Sequence, residues 1–532
     1  MGRRRPSALP LNSLGWSLAG ALALALSLPP LGVYPLAWVG LVPLLVRWSA
    51  RRPSWAYARE LYAVLLAASC CVGFWVLFNP DPGTAALGGA TLFLVPVPLT
   101  AAFVLSGAVR HRHGLGAGLV ALALYVIAAE FLLLQTSVTL PWLLLGHTQV
   151  AGLEFIQIAD LGGVSLLSLW VLALNGAAFL ALPRAGRAGE RGVAVAAFAT
   201  LVAVPVVYGA VRTAQSDVPT GYTRVGVVQP GLSPRAWAEA PAEDRVELLA
   251  RASDAFLARW RADAAAPDSA APPDPAPPDP DAVRPDGLRA SGYGLLVWPR
   301  ASLPRPGSAA EAAALFETLD RWAGRRDLSL LAGARLPAGD DGEAASAAVL
   351  VRPGAPAATY LQMRRVSFAD AAGVTGDRRA LLDTGGARVA AAVGFESVFG
   401  DHVRRFTRDG ADLVVVLARH DLWGRSAGLD QHLLFTRLRA VESRRSVVLS
   451  TVSGGSAVIQ PGGAVTEVAG WMEPDVASVD VPLFRGQTFY VRHGDWLGRW
   501  ALGLALALSV AAVAVGRYAP RPAPKRRKLA PA

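Results

Sequence analysis

Long apolar runs separate this chain of 532 residues into membrane-like and water-soluble parts. A helix needs roughly 20 mostly apolar residues to cross the hydrocarbon core of a membrane. Stretches near that length lie at 12–29, 32–48, 61–79, 86–108, 115–135, 164–182, 193–211 and 496–516. We therefore predict a transmembrane domain of about seven spans in residues 1–211, a soluble domain in 212–490, and a final span with a basic tail in 491–532.

Short, almost continuously apolar runs alternate with amphipathic stretches inside the soluble segment. Such runs are typical of strands buried on both faces of a layered α/β domain. We predict strands at 223–230, 293–299, 328–334, 346–353, 387–396, 411–418, 446–454 and 456–463, and helices at 236–264, 308–325 and 429–445. Residues 265–287 are rich in Pro and Asp and are predicted to be a disordered surface insertion.

Composition and charge agree with a membrane protein. Charged residues make up 17% of the chain, against roughly 25% in soluble proteins. The net charge is +11, but the basic residues collect beside every second span and near both termini instead of forming one patch. That distribution argues against nucleic acid as a partner. By the positive-inside rule, both termini face the cytoplasm and the soluble domain faces outward.

The two cysteines, Cys70 and Cys71, are neighbours in an apolar run. Adjacent cysteines in a helix rarely bridge, so they are interpreted as small packing residues, and a disulfide framework is excluded. No metal ion or cofactor is predicted for this chain.

Several motifs follow one another along the chain: EFLLLQTSVTLPWLLLGHTQ from Glu130, VVQPGLSPRAW from Val227, LVWPRASLP from Leu296, FESVFGD from Phe395 and HDLWGRSAGLDQH from His420. Together they resemble the apolipoprotein N-acyltransferase family, membrane enzymes with a nitrilase-type domain. The resemblance implies an αββα nitrilase-like sandwich that faces the periplasm from a bacterial inner membrane. It also implies two substrates, a phospholipid that supplies an acyl chain and the diacylglyceryl-cysteine amino terminus of a lipoprotein.

The same resemblance implies a catalytic Glu–Lys–Cys triad whose cysteine carries the acyl chain as a thioester. The corresponding positions here are Arg300 in Trp-Pro-Arg, Gln362 in Tyr-Leu-Gln and Gly394 in Gly-Phe-Glu. Arginine stays protonated and cannot act as a base, glutamine carries no charge, and glycine offers no nucleophile. We therefore expect the protein to be inactive in the family reaction.

Two acids, Asp370 and Glu396, are candidate pocket residues. Each is either a replacement acid–base group or a partner that neutralises Arg300, and the second interpretation is favoured because a buried, unpaired guanidinium is costly. The hypothesis is an ion pair between Arg300 and Glu396. Ser397 and His420 are candidates for Ser–His catalysis, although the sequence shows neither an oxyanion motif nor an orienting acid beside them.

The remaining candidates have structural interpretations beside the functional ones. Trp237 is a candidate pocket residue, and it is read, with Trp75, Trp142 and Trp423, as an acyl-chain or membrane-interface contact. His432 is predicted to be a helix-packing or capping residue. Glu442 is predicted to be an internal salt-bridge partner.

The leading interpretation is a pseudoenzyme that binds a phospholipid, a lipoprotein amino terminus or another envelope protein. An arginine in the pocket would suit a phosphate or carboxylate group. The alternative is an active acyltransferase or amidohydrolase that uses relocated residues. A third possibility is a purely structural membrane protein.

Overall fold

The computed structural model describes residues 13–136, 142–183, 188–215, 218–265, 294–338, 343–366, 368–369 and 373–518. The predicted insertion at 265–287 lies outside these ranges, apart from its first residue, Ala265, which ends a helix. Asp370 also lies outside the described residues.

Apolar helices form the membrane domain, and the prediction of a multi-span helical domain is confirmed. Within the described residues, five helical segments are long and apolar enough to cross a membrane: Trp55–Phe78, Pro82–His113, Leu115–Gln135, Phe155–Leu180 and Gly189–Ala214. Leu14–Ser27 and Trp496–Ala512 are shorter apolar helices. The individual helices are α1 (Ser13–Ser27), α2 (Ala37–Gly40), α3 (Val42–Ala50), α4 (Trp55–Gly73), α5 (Pro82–Leu94), α6 (Pro96–His113), α7 (Leu115–Gln135), α8 (Ala159–Leu180) and α9 (Ala188–Ala214), with α16 (Trp496–Tyr518) near the end of the chain.

The predicted span at 32–48 is not a continuous helix, and the prediction is wrong in this respect. A 3-10 turn at Tyr34–Leu36 leads into α2 and then into α3. Pro35 and Pro43 lie in the first turns of the 3-10 turn and of α3. Proline lacks an N–H donor, so it is tolerated at the start of a helix and interrupts one further along. The two prolines therefore divide this apolar stretch into short pieces.

Two six-stranded sheets form the centre of the soluble domain. The strands are β1 (Gly221–Gln229), β2 (Leu295–Trp298), β3 (Ser329–Pro337), β4 (Ala344–Arg352), β5 (Ala355–Leu361), β6 (Leu381–Asp383), β7 (Arg388–Val393), β8 (Leu413–Leu417), β9 (Ser446–Ser450), β10 (Ser456–Ile459), β11 (Val465–Ala469) and β12 (Asp475–Leu483). The strand orders of the two sheets are β12-β1-β2-β3-β4-β5 and β11-β10-β9-β8-β7-β6. The strands β1 to β3 are parallel neighbours, and so are β7 to β9.

Aliphatic side chains from both sheets meet in one core, for example Val297 from the first sheet and Val415 from the second. A second cluster, which includes Leu249 and Leu319, packs helices on the outer face of the first sheet. The soluble-domain helices are α10 (Pro234–Glu239), α11 (Ala242–Ala265), α12 (Ala309–Gly324), α13 (Gly400–Arg408), α14 (Ala427–Ser443) and α15 (Phe489–His493). Because α13 and α14 contact the second sheet, the predicted αββα sandwich is confirmed.

The soluble domain docks on the membrane helices through polar contacts near both ends of α14. Gln431 accepts a hydrogen bond from Trp75 Nε1 at 2.9 Å and donates one to the Pro29 carbonyl at 2.9 Å. Arg444, just beyond the helix, donates to the Asp160 carboxylate at 2.8 Å. Removing one partner of such a buried ion pair leaves an uncompensated charge. These contacts hold the soluble domain in a defined position over the membrane helices.

Candidate functional site

The structure brings the three predicted triad positions together at one edge of the sandwich. Arg300 follows β2, Gln362 follows β5, and Gly394 follows β7. The Ser346 hydroxyl accepts a hydrogen bond from Arg300 Nη2 at 3.1 Å, and the Ser346 carbonyl accepts one from the Gln362 N–H at 2.8 Å. Gln362 Nε2 then donates to the carbonyl of Val393, next to Gly394, at 3.0 Å. A continuous chain of contacts thus joins the three positions across both sheets.

These groups cannot supply the chemistry of a thiol acyltransferase. Arg300 is 9% exposed and Gln362 is 1% exposed, so both side chains are buried. Neither side chain is a base, and Gln362 uses its amide nitrogen to donate to the backbone. Gly394 brings no side chain to the turn that follows β7. The arrangement can bind a group but contains no nucleophile at the family position.

Gly394 has a φ of +66°, in the left-handed region that residues with a Cβ disfavour. We expect Gly394→Ala to lower the free energy of unfolding by about 1–2 kcal/mol, the usual penalty for this conformation. Denaturant unfolding followed by tryptophan fluorescence measures the change. Gly486→Ala is the matched control, because a Cβ at Gly486 meets no heavy atom within 4 Å and its φ is not positive. Equal stabilities of the two variants would contradict the prediction.

Glu396 holds the turn that contains Gly394. Its carboxylate accepts four hydrogen bonds: from the Tyr360 hydroxyl at 2.8 Å, and from the N–H groups of Met363, Arg364 and Val393 at 2.7, 2.9 and 2.8 Å. The side chain is fully buried, and burial raises the pKa of Glu396 to about 7 despite these donors. Since the carboxylate fixes backbone from both sheets, its role in this structure is to anchor the turn.

The hypothesised ion pair between Arg300 and Glu396 is wrong. Among the described residues, His402 is the only basic residue within ion-pair distance of Glu396. Its Nε2 lies 3.5 Å from Glu396 Oε1. Burial lowers the pKa of His402 to about 3, so it is neutral. Glu396 turns toward N–H groups around its own 3-10 turn, Gly394–Val398, while Arg300 is tied to the first sheet through Ser346. The side chains of Arg300 and Glu396 therefore have different partners.

Ser397 does form a serine–histidine contact, but with His432. Its Oγ lies 2.8 Å from His432 Nε2 and 3.0 Å from Thr436 Oγ1. His432 Nδ1 is in turn 2.6 Å from His420 Nε2, whose ring contacts the Gly454 carbonyl at 2.9 Å. The sequence interpretation therefore missed His432 as the direct partner of Ser397. The signal was present, because His432 and Thr436 are four residues apart and share one face of α14.

This buried network is closed to solvent in the structure. Ser397, His432 and His420 are 0%, 1% and 3% exposed. Burial, with His420 nearby, holds the pKa of His432 well below its ordinary value. A neutral histidine can accept the serine proton, but no exposed face of Ser397 is present for a substrate to approach.

The predicted tryptophans fall into two separate places. Trp237 is 1% exposed and packs with Leu249 and Trp298 behind the first sheet. Trp75, Trp142 and Trp423 instead belong to a buried aromatic cluster between the membrane helices and the site. This cluster includes Phe395, the residue after Gly394, whose ring centroid is 5.0 Å from that of Trp142. That Trp237 lines the pocket stays a prediction.

The wall beside Arg300 carries several guanidinium groups. Arg335 in β3 pairs in register with Ser346, the residue that also binds Arg300. Burial lowers the pKa of Arg335, and the neighbouring charges of Arg305, Arg300 and Arg365 lower it further. Neighbouring guanidinium groups favour the approach of an anion.

No group of three or more His, Cys, Asp or Glu side chains that could hold a metal ion is found among the described residues. The absence of a cofactor therefore stays a prediction.

Comparisons with known proteins agree with the fold. Residues 20–177 match the family model for the apolipoprotein N-acyltransferase N-terminal domain, and residues 224–489 match the model for carbon-nitrogen hydrolases. An apolipoprotein N-acyltransferase from Gloeobacter violaceus is 30% identical, with 95% of each chain covered. One from Geobacter metallireducens is 27% identical, with 96% of each chain covered.

Solved structures of a nitrilase-superfamily amidase from Nesterenkonia cover about half of this chain. One is 20% identical, covers 53% of this chain and 98% of its own, and has a TM-score of 0.37. Another is 19% identical, covers 54% of this chain and 98% of its own, and has a TM-score of 0.38. The full-length sequence relatives are the stronger finding, because they span both domains. The resemblance drawn from the motifs is confirmed, and the chain belongs to the apolipoprotein N-acyltransferase family.

Proposed function

We propose that this protein is a catalytically inactive member of its family that binds a phospholipid or a lipoprotein amino terminus. The observation that carries the proposal is the convergence of Arg300, Gln362 and Gly394, joined by hydrogen bonds through Ser346 and Val393. The family reaction is acyl transfer from a phospholipid to the amino terminus of a diacylglyceryl-modified lipoprotein. The reaction needs a base, a cation and a thiolate at the three triad positions. This chain has Arg300 in place of the base, Gln362 in place of the cation and Gly394 in place of the thiolate.

Binding is the function that the remaining groups support. Arg300 donates to Ser346, and Arg335 pairs with Ser346 in the strand register. A guanidinium binds phosphate or carboxylate through strong, charge-assisted hydrogen bonds. The aromatic cluster that contains Trp75 and Phe395 joins this site to the membrane helices. A lipid headgroup at Arg300 would therefore have its chains directed toward the bilayer.

We also propose that the protein lies in a bacterial inner membrane with its soluble domain in the periplasm and both termini in the cytoplasm. Arg110, in the last turn of α6, donates hydrogen bonds to the carbonyls of Ser49 and Arg51, which places two basic segments side by side. The soluble domain contacts Trp75, just beyond the last residue of α4, a helix whose first residue, Trp55, closely follows Arg51 in the chain. Positive charge on the side away from the soluble domain supports this orientation.

Arg300→Ala is expected to weaken binding of phosphatidylglycerol by about 10-fold, the value of one charge-assisted hydrogen bond. The measurement is native mass spectrometry of the detergent-solubilised full chain titrated with this lipid. Arg300→Lys keeps the charge and should retain part of the affinity. Arg321→Ala is the matched control, since its side chain is 64% exposed on α12. Equal affinity of Arg300→Ala and the wild type would refute the headgroup assignment.

One contact favours a second candidate, an acyltransferase or amidohydrolase that uses Ser397 as the nucleophile. The 2.8 Å distance between Ser397 Oγ and His432 Nε2 suits proton transfer. Complete burial of Ser397 opposes it, because a substrate would have to displace α14 or the turn after Gly394. The transfer assay described in the Discussion separates the two candidates through Ser397→Ala.

A further inference from the structure

Several exposed arginines lie at the end of the membrane domain that is far from the soluble domain. This set, called the basic patch, consists of Arg51, Arg52, Arg59 and Arg112. Arg51 and Arg52 lie between α3 and α4, Arg59 lies in α4, and Arg112 lies in the last turn of α6. Arg110 Nη2 donates a hydrogen bond to the Arg51 carbonyl at 2.6 Å, so the end of α6 is held against the connection between α3 and α4.

Two helices run from the soluble domain to the basic patch. Trp75, just beyond the last residue of α4, contacts Gln431 of the soluble domain, and α4 begins at Trp55, beside the patch. The helix α16 begins directly after the soluble domain, and the Ala512 carbonyl near its other end accepts a hydrogen bond from Arg112 Nη1 at 3.3 Å. The 19 residues of α4 span about 28 Å, close to the roughly 30 Å of a hydrocarbon core. The patch therefore lies at the level of the headgroups of the far leaflet.

Trp55 marks the same level of the membrane. Its side chain is 76% exposed at the first residue of α4. Tryptophan is enriched where membrane and water meet, because its ring is apolar and its N–H is polar. Arg59 follows four residues later and therefore shares a face of the helix with Trp55. This face presents an aromatic ring and a guanidinium group side by side in the headgroup layer.

Within the described part of the chain, the four arginines of the basic patch form no ion pair. Glu60, the acidic residue next to Arg59 in the sequence, uses both carboxylate oxygens to accept hydrogen bonds from Arg47 Nη2, each at 2.8 Å. Exposed arginines of the soluble domain instead pair with acids, as Arg235 does with Glu239 at 2.7 Å. The patch therefore presents positive charge that a ligand can neutralise.

We propose that the basic patch binds the headgroup of an anionic phospholipid in the leaflet far from the soluble domain. Arginine binds phosphate through strong, charge-assisted hydrogen bonds, often with two N–H groups at once. A headgroup with a net negative charge is favoured over a zwitterionic one, because neighbouring guanidinium groups repel the cationic group of the latter. The length of the membrane helices separates the patch from Arg300, so the proposal depends neither on lipid binding at Arg300 nor on loss of catalysis.

The test is native mass spectrometry of the detergent-solubilised full chain, titrated with phosphatidylglycerol and with phosphatidylcholine of the same acyl chains. Arg300→Ala is present in every protein compared, so that lipid bound through Arg300 is excluded. Each arginine near a membrane surface contributes about 5-fold in affinity for an anionic lipid. Phosphatidylglycerol is therefore expected to bind more tightly than phosphatidylcholine by about 25-fold or more. Equal affinity for the two lipids would overturn the proposal.

Arg52→Gln combined with Arg59→Gln assigns this preference to the basic patch. The double variant should bind phosphatidylglycerol about 25-fold more weakly and phosphatidylcholine with unchanged affinity. Both side chains are exposed, so an unchanged thermal unfolding midpoint separates loss of binding from loss of the fold. Arg251→Gln combined with Arg321→Gln is the matched control, because it removes the same charge from side chains that are 76% and 64% exposed on the soluble domain. Equal affinity of the two double variants for phosphatidylglycerol would refute the proposal.

Discussion

Purified wild-type protein is expected to transfer no acyl group from phospholipid to a diacylated lipopeptide above background. Loss of one member of a catalytic triad typically lowers the rate by about 10⁴–10⁶-fold. Here all three members are replaced, by Arg300, Gln362 and Gly394. The measurement is mass spectrometry of the lipopeptide after incubation with labelled phospholipid. A thioester intermediate is not expected, because no thiol lies at the site.

A triple variant provides the positive control. Arg300→Glu, Gln362→Lys and Gly394→Cys together restore the residue types of the family, and only the combination is expected to form an acyl-enzyme, since triad members act as a unit. Transfer by the wild type that persists after thiol alkylation and disappears in Ser397→Ala would contradict inactivity. It would favour the second candidate, with His432 as the base.

Glu396→Gln is expected to lower the free energy of unfolding by about 4 kcal/mol, although the two side chains have the same shape. Every hydrogen-bond partner of Glu396 is a donor: the Tyr360 hydroxyl and the N–H groups of Val393, Met363 and Arg364. The amide nitrogen of glutamine would face N–H groups, and each buried donor left unsatisfied costs about 1–3 kcal/mol. Chemical denaturation followed by tryptophan fluorescence measures the loss.

Glu317→Gln is the control for this prediction, because Glu317 is exposed on α12. It removes the same charge without a buried network and should leave stability within about 0.5 kcal/mol of the wild type. If Glu396→Gln were as stable as Glu317→Gln, Glu396 would not be the anchor of the turn.

The strands that the sequence predicts are those buried on both faces. The runs around Leu295–Trp298 and Leu413–Leu417 are continuously apolar, and they form the interior strands β2 and β8. The pattern misses β5, β6, β11 and β12, which are the edge strands of the two sheets. Edge strands such as β11 are half exposed and mix polar with apolar residues. Their pairing depends on the neighbouring strand more than on their own pattern.

The convergence of Arg300, Gln362 and Gly394 was predictable because the motifs around them are collinear with those of the family. The partners of Glu396 were not, since three of them are backbone N–H groups, which every residue except proline carries. An argument from charge pairing considers only charged side chains, and it therefore selects Arg300 as the partner of Glu396. The ion pair between Arg444 and Asp160 could not be predicted from the sequence either, because the two residues are 284 positions apart.

The left-handed turn at Gly394 makes the proposed loss of catalysis hard to reverse by single steps. With glycine at a φ of +66°, the turn is relaxed, and any other residue there introduces backbone strain. A reversion to cysteine would bear that strain at once and gain no activity until positions 300 and 362 had also changed. Each intermediate is less stable and no more active, so selection has no gradual route back. The turn therefore opposes a stepwise return of the family residues at positions 300, 362 and 394.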